Sequence, residues 1–168
     1  DKTARDKWIN DPATKYHVYS MFEGVNPNFR LRKGTIESED SNPPAVMHGL
    51  AVDYDAPIPL DDVKKALLKM GQLLPAWMEI TLSGNARLVW LFERPLALPS
   101  MEFTKALLKD FLVRFPLSKL PGLDEPAFKS PERYYTNGAI WHRLSNFKVK
   151  ADFLEGCVLE VGNRFKWV

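Results

Sequence analysis

Residues 49–57, GLAVDYDAP, place Asp53 and Asp55 two positions apart inside an apolar run. In an extended strand, residues i and i+2 share a face and lie about 6–7 Å apart. The spacing therefore predicts two carboxylates leaving one side of a strand, with the small Gly49 and Ala51 beside them. Leu50, Val52 and Tyr54 form the opposite, apolar side, suited to packing on a helix. The strand is thus expected to have a core face and a roomy acidic face.

The remaining elements follow from periodicity and punctuation. KYHVYSMF (15–22) and NFRLRKGT (28–35) read as short strands of a hairpin joined through Gly24, Asn26 and Pro27. GTIESEDSNPPA (34–45) reads as an exposed loop. LDDVKKALLKMGQ has Val63, Ala66, Leu67 and Met70 at helical spacing, with acids at its start and Gly71 near its end. AWMEITLS and RLVWLFE read as adjacent strands joined by the turn SGNA. A second helix opens at Ser100 as N-cap, carries Phe103, Leu107, Phe111 and Phe115 along one stripe, and stops at Pro116. RYYTNG is a short β-prone piece, and CVLEVGNRFKW reads as a last strand or part of a hairpin. The order of strands, helix, two strands, helix and strands indicates an α+β fold rather than a regular parallel array.

With 168 residues, 45% of them apolar, the chain is expected to bury one core and form a single domain over 1–168. It begins with Asp rather than Met and stops on NRFKWV, as expected of a domain excised from a longer protein. A formal charge of +2 does not by itself announce nucleic-acid binding, so any basic site must be local. The single Cys157 excludes an internal disulfide and suits a reducing compartment; it reads as a small buried side chain. No apolar run approaches the roughly 18 residues of a membrane span. The expectation is a soluble, cytoplasmic protein that meets no membrane.

Two carboxylates this close repel when ionised, unless cations or donors compensate them. Magnesium or manganese with substrate phosphates supplies such compensation. The plainer reading makes them solvent-facing acids at a strand end. The order of elements around them resembles the archaeo-eukaryotic primase superfamily, in its primase-polymerase branch found on plasmids, viruses and mobile elements. The resemblance covers roughly residues 45–145. It rests on LAVDYD as the family's first acidic motif, on SGNARLVW at its second, and on Asp124 in GLDEPAFKSPERYY at its third, followed by Pro131 and Arg133. The second motif departs from the family's S-x-H: Asn85 stands where the Ser belongs and Arg87 where the His belongs, while Ser83 and Gly84 keep the turn.

The resemblance implies an RRM-like βαββαβ catalytic core with an N-terminal α/β addition. It implies a DNA primase/polymerase working in DNA replication, a nucleotidyltransferase that makes primers or extends DNA by two-metal chemistry. Asp53, Asp55 and Asp124 would hold Mg2+ or Mn2+. Ser83, Gly84, Asn85, Arg87 and Arg133 would hold the nucleotide. Partners would be single-stranded DNA template, nucleoside triphosphates and a helicase domain or protein, in the cytoplasm or, for a mobile element, the host cytoplasm or nucleoid. Arg at position 87 keeps a planar, charged fork for phosphate oxygens but cannot exchange a proton near neutral pH. The alternatives are a catalytically degenerate module that binds nucleotide or nucleic acid, and a metal-dependent nuclease.

Other residues have two readings each. The SGNA turn cradles phosphate or is only a hairpin turn. Arg30, Arg32 and Lys33 contact nucleic acid or decorate a solvated edge strand. Tyr134 and Tyr135 stack on a base or are buried strand aromatics. His142 stands in for the missing motif histidine near nucleic acid, or serves as a structural hydrogen-bonding partner. His17 and His48 read as ordinary packing or hydrogen-bonding residues, and Trp77 and Trp90 as core residues rather than base-stacking platforms.

Overall fold

The computed structural model describes residues 18–24, 43–69, 73–131, 133, 135–136, 138 and 140–164. Its framework is a five-stranded antiparallel sheet in the order β2-β3-β5-β4-β7. The strands are β2 (Phe22–Glu23), β3 (Ala45–Asp53), β4 (Trp77–Ile80), β5 (Ala86–Leu98) and β7 (Ile140–Arg143). A two-stranded ribbon pairs β1 (Val18–Tyr19) with β6 (Tyr135–Thr136). Four α-helices stand among the described residues: α1 (Leu60–Leu67), α2 (Met101–Arg114), α3 (Glu125–Phe128) and α4 (Ala151–Arg164). The class is α+β, as the order of elements predicts. None of these helices is long and apolar enough to cross a membrane.

Alternation along the strands gives the sheet two unlike faces. Leu50, Val52 and Tyr54 of β3 and its extension join Leu88, Trp90 and Phe92 of β5 in the main core. Helix α1 adds Val63 and Leu67, α2 adds Phe103, Leu107 and Phe111, and α4 adds Leu154, Cys157 and Val161. The opposite face carries a small cluster of Ala51, Val89 and Tyr135, flanked by Tyr19, Met21, Trp77 and Leu91. Here the ribbon β1-β6 lies over the sheet, and the Tyr135 hydroxyl donates to the Ala51 carbonyl at 3.1 Å. Ala51 is therefore covered rather than bordering open space.

Helix α2 starts as its sequence dictates, with the Ser100 hydroxyl accepting from the Phe103 amide at 3.1 Å. Three further expectations change, and one falls on residues that are not described. The predicted strand 15–22 is, in its described part, two short strands: Val18–Tyr19 pairs with β6, whereas Phe22–Glu23 pairs with β3. Its hairpin partner, 28–35, and nearly all of the loop 34–45 lie outside the described residues. The aspartate strand begins at Ala45 and ends at Asp53, so Asp55 stands beyond it. CVLEVGNRFKW is helical as far as Arg164, because Ala151, Leu154, Cys157 and Val161 recur at helical spacing and bury one stripe against the core. The β-branched content of that segment is overridden by this packing and by two ion pairs that tie α4 to α2, Arg164 to Asp110 and Glu160 to Arg114.

Candidate active site

Register builds the site. Asp53 of β3 pairs with Arg87 of β5, and Arg87 pairs with Glu79 of β4, so acid, base and acid stand side by side on the ribbon face. Arg87 Nε donates to Asp53 Oδ1 at 2.5 Å, and Nη1 donates to Glu79 Oε1 at 2.5 Å and to the Thr136 carbonyl at 2.9 Å. The guanidinium carbon lies 4.7 Å from the Tyr135 ring centroid, a cation–π contact. The Tyr19 hydroxyl donates to the other Glu79 oxygen at 2.7 Å. Gly138 closes over Glu79, for a Cβ there would fall 2.5 Å from Glu79 Cγ and 2.4 Å from the Ile80 carbonyl.

This row is out of water: Glu79 is 0% and Arg87 5% exposed. Burial pushes the Glu79 carboxyl above its ordinary range, against the hydrogen bond from Tyr19 and the charge of Arg87. Burial also works against the charge on Arg87, but Tyr19, Asp53 and Glu79 outweigh it and hold the guanidinium above its ordinary value. Tyr135 is pushed up to about 12, chiefly by burial and then by the nearby charge of Asp53.

The third acid arrives by backbone pairing. The Asp55 amide donates to the Gly122 carbonyl at 2.7 Å, and the Asp124 amide donates to the Asp53 carbonyl at 2.9 Å. Tyr54 and Leu123 form the bridge between them. Residues 122–124 thus run as a short strand beside 53–55, entered through Gly122 at φ +83°. The Asp124 side chain then caps α3, accepting from the Ala127 amide at 3.2 Å. Asp53 Oδ2 lies 3.2 Å from Arg133 Nη2 but without the alignment of a hydrogen bond, and it is buried.

A cleft of about 290 Å³ opens at this end of the sheet, lined by Asp53, Tyr54, Asp55, Thr81, Leu82, Ser83, Asn85, Arg87, Asp124, Arg133 and Thr136. Seven of the residues singled out in the sequence meet there: Asp53, Asp55, Asp124, Ser83, Asn85, Arg87 and Arg133. Gly84 sits at the adjacent turn with φ +86° and does not line the cleft. The Gly84 amide already donates to the Thr81 carbonyl and the Asn85 amide to the Thr81 hydroxyl, so neither of these two N–H groups is left for a phosphate.

His142 is not brought in. β7 sets Trp141 opposite Glu79 and His142 opposite the core residue Met78, so His142 takes the helix-bearing side of the sheet and cannot replace the motif histidine. Arg30, Arg32, Lys33, His17 and Tyr134 lie outside the described residues. His48 sits 3.2 Å from the Glu23 carboxylate. Tyr135 is a buried strand aromatic, Trp90 belongs to the main core, and Cys157 is buried and free. Sequence reasoning missed Glu79 and Tyr19. The available signal was a lone acid inside the apolar strand WMEI, which is stable only beside a cation.

The arrangement has a definite charge logic. Three carboxylates and two guanidiniums line the cleft, and Glu79 behind Arg87 adds a fourth acid, so the site keeps excess negative charge. Carboxylate oxygens are the donors that hard divalent cations take. Among the described residues, no three His, Cys, Asp or Glu side chains are grouped closely enough to share an ion. No protein-family model matches this chain, and neither a curated protein nor a solved structure matches it significantly.

Proposed function

We propose that this chain is a nucleotidyltransferase of primase-polymerase type that joins nucleoside triphosphates along a DNA template, although β7 pairs with β4 and not with β3 as the RRM-like order would have it. One observation carries the reading. Asp53 and Asp55 at the end of β3, Ser83 and Asn85 before β5, Asp124 and Arg133 come from segments far apart in sequence, and all of them line one cleft. Those are the segments that the resemblance selects.

Asp53, Asp55 and Asp124 would hold Mg2+ or Mn2+, which would neutralise the triphosphate and activate the attacking hydroxyl. The donor chemistry and the excess negative charge fit such an ion, which would have to draw the three carboxylates together and displace Arg133 from Asp53 Oδ2. The chain's own groups divide the rest. Arg87, clamped by Asp53, Glu79 and Thr136, presents a fixed positive charge at the cleft floor. Arg133 is partly exposed and can turn toward phosphate oxygens. Ser83 and Asn85 offer polar side chains at the wall.

De novo synthesis and primer extension with Mn2+ or Mg2+ test this directly. The expected result is incorporation by the wild type and background incorporation by Asp53→Ala, Asp55→Ala. Full activity in that double variant rejects the reading. The Asp53–Arg87 bond favours a second one, a module that grips nucleotide without turnover, because it occupies a carboxylate oxygen that a metal would use. Saturable triphosphate binding with no incorporation under any divalent cation would select it.

A further inference from the structure

A chain of rings leads out of the cleft along the ribbon face of the sheet. Tyr135 lies against Arg87 and stacks on Tyr19, with centroids 5.5 Å apart. Tyr19 meets Trp141 at 5.9 Å, and Trp141 meets Trp77 edge-on at 6.0 Å. Arg143 finishes the series, its guanidinium carbon 4.7 Å from the Trp77 centroid.

Register explains the line. Asp53, Arg87, Glu79 and Trp141 form one cross-strand row, and Ala51, Val89, Trp77 and Arg143 form the next. Three strand spacings of about 4.8 Å put Trp141 roughly 14 Å from the Asp53 position. Exposure rises outward: Tyr135 is buried, Trp141 is 37% exposed, and Arg143 is exposed on β7, the last strand of the sheet. Arg143 donates to the Ser145 carbonyl and to the Asn146 side-chain oxygen, both neutral, so no acid among the described residues answers its charge.

An aromatic at the sheet surface beside a planar cation that no described acid answers is the pairing that takes a base on one group and a phosphate on the other. We propose that Trp141 and Arg143, with Trp77 between them, form a platform on which single-stranded DNA stacks as it passes to or from the acidic cleft. The inference rests on the reading above in taking a DNA strand as what the cleft serves. It assigns that strand a path over β4 and β7 rather than along the helices.

Fluorescence anisotropy with labelled oligo(dT), in EDTA and without nucleotide, tests it. Trp141→Ala is expected to weaken binding about tenfold, as for the loss of one base–aromatic stack, and Trp141→Phe to retain most of the affinity. Arg143→Gln is expected to make the slope of log affinity against log salt shallower by about 0.7, one single-strand phosphate contact. Blunt duplex should bind more weakly than oligo(dT). The proposal is overturned by wild-type protein that does not bind oligo(dT), by unchanged affinity in folded Trp141→Ala, or by equal affinity for duplex. It is also overturned if Trp141→Ala dissociates a dimer and leaves DNA binding unchanged, which would make the strip a contact between copies. Because no step requires catalysis, absent incorporation sinks the proposed function alone, and unchanged binding in an active enzyme sinks the platform alone.

Discussion

Arg87 stands between two acids that would otherwise repel each other in a dry part of the sheet. A buried ion pair adds little net stability, yet removing one partner strands the other. Arg87→Ala leaves Asp53 and Glu79 without their shared cation and is expected to cost about 3–5 kcal/mol in urea unfolding near neutral pH. The penalty should shrink as the solution is acidified, since a protonated Glu79 no longer needs a counter-charge. The sign follows from burial. The folded protein keeps the Glu79 proton to higher pH than the unfolded chain, whose carboxyl has the ordinary value of 4.5. This group's contribution is therefore fully present below that value and declines as pH climbs to the raised folded value. A penalty that grows on acidification would show that Glu79 is not the acid Arg87 serves.

At the scale of elements, the decisive piece is the short run 122–124. Its backbone hydrogen bonds to 53–55 carry Asp124 to the cleft, and they require the left-handed turn at Gly122. Gly122→Ala places a Cβ 3.1 Å from that of Ala56 in a backbone conformation that costs L residues about 1–2 kcal/mol. A fall in stability of that size, with weaker Mn2+ binding by calorimetry, is the expected outcome. Unchanged cation affinity in the destabilised variant would remove Asp124 from the ion site.

For the whole molecule, the two faces of one sheet divide the work. Helices α1, α2 and α4 bury one face and supply the core, leaving the other to hold charge under the β1-β6 ribbon. A cation that binds only the folded cleft stabilises the entire fold by mass action, about 2.7 kcal/mol at one hundred times its dissociation constant. The thermal midpoint is expected to rise with Mn2+ in the wild type and to stay level in Asp55→Asn, whose exposed side chain makes the change safe for folding. A rise of equal size in both would place the ion elsewhere.

Part of this fold is written in local chemistry. Apolar alternation in 50–54 set the core side of β3, Ser100 set the start of α2, the Ser-Gly turn joined β4 to β5, and the order of elements set the α+β class. The acids and arginines of the cleft were also legible as residue types at recognisable spacings. Their neighbours came from the folded arrangement of distant strands. Strand register placed Glu79 beside Arg87, turned His142 toward Met78, and split residues 18–23 between two sheets. Burial against α2 made residues 151–164 helical in spite of their valines. Pairing between strands distant in the chain, and the desolvation that follows it, depend on long-range contacts, and no local window of sequence contains those.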